Sequence, residues 1–299
     1  MLKLADDFLR GSYTPVVTPF RGGAVDYETY AALIERQAAQ GSQGVVVAGT
    51  TGEPTTLSID ERKQLLMVAL DAAGGRMPIV AATGSQSHAD TVQLTAHAEK
   101  AGAAAVLILT PYFIRPPQRG LVEYYADLAS RTALPMLIYH IPGRAAVAAA
   151  CDTIEKIAAR APNLVGIKQA VNDLTLVSEL IARLGSEFRI FVGLEELSFP
   201  MMAIGACGVM NAVGNIAPRR VAELCELVRS GNLSDARAAH FALFELNQAI
   251  FFDTNPIPLK YMMKRLDLLP VNEHRLPMVP AAPELERRLD EVLKRAGLL

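Results

Sequence analysis

The 299-residue sequence predicts an α/β chain folded as a closed (β/α)8 barrel of the TIM type with a C-terminal helical extension. Three observations predict it. Eight short β-prone apolar runs recur at spacings of roughly 20 to 35 residues. The stretches between them carry apolar residues at helical spacing. After about Arg219 the strand-like runs stop while helical stretches continue. A parallel strand needs a crossover before the next can pair with it, so this alternation is what repeated βα units give.

The first run, Tyr13–Val17, is not followed by a Gly-rich dinucleotide fingerprint, which favours closure over a doubly wound open sheet. YETYAALIERQAAQG then leads to the second run, Gly44–Ala48. IDERKQLLMVALDAAG separates this from the third, Ile79–Ala82, and HADTVQLTAHAEKAG precedes the fourth, Ala105–Leu109. Gly41, Gly74 and Gly102 end these segments, as helix-terminating glycines do. The fifth run, Met136–Tyr139, is joined through TIEKIAARA to the sixth, Val165–Ile167, and the seventh and eighth are Ile190–Val192 and Gly208–Met210. RRVAELCELVRSG reads as the last barrel helix. LSDARAAHFALFELNQAIF and PELERRLDEVLKRAG read as the extension, with NPIPLK a turn between helices. The expected division is 1–225 for the barrel and 226–299 for the extension packed on it.

About half of the chain is hydrophobic, at 51%, enough for a sizeable core. A formal charge of −2 with interspersed signs offers no basic stripe for nucleic acid, and no stretch approaches the roughly 18 apolar residues of a membrane span. The N-terminus, MLKLADDFLRGSYTP, lacks the apolar core and cleavage site of a secretory signal, so a cytoplasmic protein is expected. Cys151, Cys207 and Cys225 form no CxxC pair and read as reduced packing residues, and no metal site is expected.

Reactive residues of such a barrel gather just after its strands. Lys168 follows the sixth run in the apolar stretch VGIKQA. An isolated strand lysine is most often paired with an acid. In a barrel mouth, however, desolvation disfavours the ammonium and leaves a free amine to attack a carbonyl. Tyr139 ends the fifth run, where its phenol could pass protons to and from the resulting intermediates, given a partner that orders its proton; a threonine hydroxyl could do so. Thr50 and Thr51 lie in GTTGE after the second run. This is either a plain strand-to-helix turn or an anion cradle of hydroxyls and N–H groups at a helix start. Arg144, in HIPGR, has the forked guanidinium that grips a carboxylate in bidentate fashion. Met210, which ends the eighth run, is counted with the substrate-binding residues. Amine, proton relay, anion cradle and second anion clamp together suit a class I aldolase. Its electron sink is the protonated imine, so no cofactor is expected. His88, His97 and His140 lack metal-ligand spacing, and Glu195 and Glu196 read as acids complementing a helix dipole.

GTTGE, TPYF, YHIPGR, GIKQA, NPIPLK, RLPMVP and the terminal KRAGLL occur in an order that resembles the dihydrodipicolinate synthase (4-hydroxy-tetrahydrodipicolinate synthase) family over nearly the whole chain. GTTGE is shared across the wider N-acetylneuraminate lyase superfamily, whereas YxxPxR and NPIPLK point more closely to the synthases. The resemblance implies that Lys168 forms an imine with pyruvate, that Tyr139 is the acid/base and that Thr50 links it to a proton relay. It also implies that Thr50 and Thr51 hold the pyruvate carboxylate and that Arg144 binds L-aspartate 4-semialdehyde. The product would be 4-hydroxy-tetrahydrodipicolinate, in lysine and diaminopimelate biosynthesis, and the assembly a homotetramer of two tight dimers.

Two departures stand out. The family usually has TPYY, its second tyrosine relaying protons across the dimer interface, and this chain has Phe113 after Tyr112. Phe113 keeps two other readings open: a pyruvate-dependent aldolase or dehydratase acting on a 2-keto-3-deoxy sugar acid, and a catalytically impaired barrel with a binding or regulatory role. Relatives inhibited by lysine have polar residues at positions matching Pro54, Ile59, Gln86 and Asp90. Ile59 cannot supply such a contact, so weak or absent lysine inhibition is expected.

Overall fold

The computed structural model describes residues 2–299. β1 (Gly11–Pro15) leads into a small antiparallel hairpin, β2 (Phe20–Arg21) and β3 (Ala24–Val25), for which the sequence gives no periodic signal. Next come β4 (Gly44–Val47), β5 (Ile79–Ala82), β6 (Ala105–Leu109), β7 (Met136–His140), β8 (Leu164–Gln169), β9 (Arg189–Val192) and β10 (Gly208–Val209). Apart from the hairpin, each strand pairs in parallel with the one before, and β10 returns to β1, closing an eight-stranded barrel.

The outer layer comprises α1 (Tyr27–Ala39), α2 (Ile59–Ala73), α3 (His88–Ala101), α4 (Gln118–Ser130), the short α5 (Pro142–Ala145), α6 (Cys151–Arg160), α7 (Leu174–Leu184), α8 (Ser198–Ala203) and α9 (Pro218–Arg229). Local chemistry fixes their ends. Ser58 and Glu61 close a reciprocal capping box at the start of α2, and Gly74 ends that helix in the left-handed conformation. The extension comprises α10 (Leu233–Ala249), α11 (Ile257–Arg265) and α12 (Pro283–Arg295).

Two expectations need correction. The division expected after residue 225 falls inside α9, which continues as one hydrogen-bonded unit to Arg229 before Gly231 stops it. NPIPLK is not a turn throughout: its Pro256 and Pro258 flank the start of α11, where a missing N–H costs nothing.

Residues alternate along the strands between two cores. Tyr13, Val46, Val80, Leu107, Leu137 and Phe191 fill the barrel interior, whereas Ile108, Ile138, Ile167 and Ile190 pack outward against the helices. Each such fully buried side chain contributes about 1.5–3 kcal/mol of transfer free energy. At the base, fully buried Arg189 donates to the carbonyls of Phe8 and Ala5 at 3.3 and 3.2 Å, holding the N-terminal segment across the strands' starting ends. Cys151, Cys207 and Cys225 are free thiols. Among the described residues no helix is long and apolar enough to cross a membrane.

Candidate active site

Lys168 lies within β8 rather than just beyond it, and a register irregularity aims it. Met136 pairs with Leu164, but Leu137 pairs with Gly166, so Val165 is an extra residue in the ladder. From there Tyr139 stands opposite Lys168, and both project into the barrel. Gly166 permits this arrangement, because a Cβ there would stand 2.1 Å from the Arg189 carbonyl oxygen. Gly193 plays a similar part: a Cβ on it would meet Lys168 Cε at 2.8 Å.

Lys168 is 4% exposed, and its Nζ sits 4.4 Å from the centroid of the Tyr139 ring. The Tyr139 hydroxyl is hydrogen-bonded to Thr50 Oγ1 at 3.1 Å. One step outward along the same strands, His140 and Gln169 form a second cross-strand pair. The Ala149 N–H can only donate, so His140 Nε2 accepts from it and Nδ1–H donates to Gln169 Oε1 at 2.6 Å. Burial holds this imidazole below its ordinary pKa, consistent with a neutral ring that locks the register behind Tyr139 and Lys168.

GTTG forms a 3-10 turn, Thr50–Gly52, between β4 and α2, so the threonines sit in the strand-to-helix connection but not at the N-terminus of α2 itself. Glu53 adopts a left-handed conformation after it, Pro54 follows, and α2 begins only at Ile59. Thr51 Oγ1 accepts a hydrogen bond from Asn255 Nδ2 at 3.0 Å.

An inner chamber of about 50 Å³ is lined by Thr50, Thr51, Tyr139, Lys168, Met210 and Glu195, among others, and Arg144 reaches its rim. A vestibule of about 380 Å³ outside it shares Thr50, Arg144 and Asn255 and adds Tyr112. Lys168, Tyr139, Thr50, Thr51, Arg144 and Met210 are therefore brought together. Arg144, exposed on α5, faces both compartments. Phe113 is not among these residues. It is 87% exposed at a loop tip with positive φ, beside the exposed Ile114.

The sequence reading missed Glu195. It is no dipole-complementing surface acid but the only carboxylate lining the chamber among the described residues, 2% exposed, accepting the Ala212 N–H at 2.5 Å. Burial raises its pKa to about 7, against the opposing hydrogen bond and the Lys168 charge. Its position directly after β9 was the available signal, since the rule that selected Lys168 applies equally there. Glu196 faces a different cavity, lined also by Arg288 and Arg295.

The chain matches the dihydrodipicolinate synthetase family over residues 8–296. It is 44% identical over 291 residues to a 4-hydroxy-tetrahydrodipicolinate synthase of Thermus thermophilus, spanning 97% of each chain. The crystal structure of dihydrodipicolinate synthase from Aquifex aeolicus superposes with a TM-score of 0.95 at 38% identity, covering 97% of this chain and 98% of that one. A dihydrodipicolinate synthase from Acinetobacter baumannii, solved in complex with pyruvate, superposes with a TM-score of 0.94 at 34% identity, covering 97% of this chain and all of that one (100%).

Proposed function

The chain belongs to the dihydrodipicolinate synthetase family, and on that premise we propose that its barrel mouth condenses pyruvate with L-aspartate 4-semialdehyde. The enzyme is a class I, Schiff-base lyase forming 4-hydroxy-tetrahydrodipicolinate in lysine and diaminopimelate biosynthesis. The observation that carries the reading is the buried amine of Lys168 against the Tyr139 ring, with the Tyr139 hydroxyl bonded to Thr50. The chain's other deeply buried lysine, Lys260, is paired with Glu53 and has the structural role that an isolated strand lysine would suggest.

In the proposed sequence, the Lys168 amine adds to pyruvate C2 and the carbinolamine loses water to give a protonated imine. The imine draws electrons from the methyl carbon, which gives up a proton and becomes an enamine. That carbon attacks the aldehyde, forming the carbon–carbon bond while the aldehyde oxygen takes a proton. The second substrate's own amine then adds to the imine carbon, expels Lys168 and closes the ring. Tyr139 moves the protons, with Thr50 as its relay partner. Thr50 and Thr51 hold the pyruvate carboxylate by their hydroxyls, Met210 walls the chamber and Arg144 takes the second carboxylate. The chemistry needs no cofactor beyond the imine itself.

The family's second tyrosine is absent, and Thr50 and Tyr112 share the vestibule, so a proton leaves the relay through that space by way of Tyr112 or water. The exposed tip formed by Phe113 and Ile114 supports packing against a second copy within a homotetramer, and a cytoplasmic location goes with the biosynthetic role.

Borohydride reduction with pyruvate, followed by peptide mapping, tests the chemistry. One adduct on Lys168, absent in Lys168→Ala, is expected. A condensation assay with aspartate semialdehyde, run beside retro-aldol cleavage of 2-keto-3-deoxy sugar acids, tests the second substrate. Cleavage without condensation would overturn the synthase assignment.

A further inference from the structure

Two motifs more than 200 residues apart meet beneath the candidate anion cradle. The Glu53 side chain is 2% exposed and accepts from Lys260 Nζ, itself 0% exposed, at 2.9 Å. Lys260 Nζ also lies 4.4 Å from the Phe20 ring centroid. One turn earlier, Asn255 Nδ2 donates to Thr51 Oγ1. NPIPLK thus grips GTTGE at two points, Asn255 from the turn before α11 and Lys260 from its start.

We propose that Lys260 and Asn255 of the extension are positioning residues for the pyruvate-carboxylate cradle, acting through Glu53 and Thr51; the proposal rests on the Schiff-base reading above. Three observations support it. First, the GTTG turn is flanked by Ala48 and Glu53, with φ of 54° and 55°. Both are left-handed non-glycine residues, and such a conformation persists only where surrounding contacts over-determine it. Second, the Glu53–Lys260 pair supplies that contact at the downstream end. A buried charge that loses its partner is strongly disfavoured, so the pair holds the turn in one arrangement. Third, the Asn255 bond occupies an acceptor site of Thr51 and leaves its O–H free to donate, which is what a carboxylate in the chamber requires. Lys260 does not line the chamber and acts only through the turn.

The test measures the pyruvate dependence of borohydride trapping at Lys168 in full-length Asn255→Ala, Lys260→Met and the double variant Glu53→Gln/Lys260→Met. The double variant removes both charges and so leaves no orphaned carboxylate if the single lysine variant fails to fold. The half-saturating pyruvate concentration is expected to rise about fivefold or more, on the scale of one lost hydrogen bond, while the fraction trapped at saturation stays at the wild-type level. Folded Asn255→Ala and double variants that trace the wild-type curve would overturn the proposal. An unchanged midpoint with reduced maximal trapping would also overturn it, as general damage rather than lost positioning. Wild-type chain that traps no pyruvate would overturn the Schiff-base reading and this proposal together, so the two failures are distinguishable.

Discussion

Tyr139 and Lys168 face each other across neighbouring parallel strands, with the lysine Nζ 4.4 Å from the tyrosine ring centroid. The ring packs against the amine while its hydroxyl reaches Thr50, so in the proposed mechanism one residue both walls the nucleophile and holds the proton path. These two roles can be separated. Tyr139→Phe keeps the wall and removes the relay. Steady-state condensation should fall by about 10²–10⁴, the usual contribution of a positioned acid/base, while a pyruvate adduct on Lys168 still accumulates. Wild-type turnover in this variant would remove Tyr139 from the mechanism.

Thr50→Val keeps the shape of the turn and deletes the hydroxyl that accompanies Tyr139. If the two act as one unit, as proposed, the Thr50→Val/Tyr139→Phe double variant should lose little more activity than Tyr139→Phe alone. Rate measurements on the four members of the cycle check this, and additive losses would mean that the hydroxyls work separately.

Arg144 lines both chamber and vestibule, which in the proposed mechanism places it on the second substrate's path to the enamine. Arg144→Ala should raise KM for aspartate semialdehyde at least tenfold, in keeping with the loss of a charge-assisted bidentate contact, and leave KM for pyruvate within about twofold. A matching rise for pyruvate would assign the guanidinium to the first substrate instead.

Glu195 ionises in the folded chain only near pH 7, because burial raises its pKa, whereas the unfolded carboxyl ionises near its ordinary value. Between those values the folded state binds the extra proton, so this group's contribution to stability is full below about pH 4.5 and is lost as pH rises through 7. Glu195→Gln should therefore gain on wild type in thermal stability from pH 5 to pH 8, with an upper bound of about 3 kcal/mol. Parallel melting-temperature curves across that range would refute the assignment.

Lysine should inhibit weakly or not at all. Ile59 offers no polar contact, and the buried Arg62 nearby donates to the carbonyls of Ala82 and Gly84 at 2.8 and 3.2 Å. A second cation brought beside that guanidinium would meet repulsion with those carbonyls already occupied. Initial rates at millimolar lysine provide the check, and half-inhibition below that range would contradict the expectation.

Hydrophobic period is a property of consecutive residues, so the eight barrel strands and most of the long helices were legible along the chain, although α4 and α7 were not singled out. The rule that reactive groups gather at the strands' C-terminal ends pointed to Lys168, Tyr139, Thr50, Thr51 and Arg144. The closed barrel brings all five to one mouth, with Tyr139 and Lys168 within the ends of β7 and β8 themselves rather than beyond them. The hairpin Phe20–Val25 was not legible, since two-residue strands are too short to show a period. Tertiary structure alone decided which of the two buried lysines is paired with a carboxylate. Lys168 and Lys260 both sit in apolar surroundings of the sequence, yet only Lys260 meets a carboxylate, supplied by a residue 207 positions away. The same holds for Glu195, which reads as an ordinary acid until the closed barrel takes it out of water. The charge state and freedom of a buried group depend on what surrounds it in space, and the chain sets those neighbours only by closing.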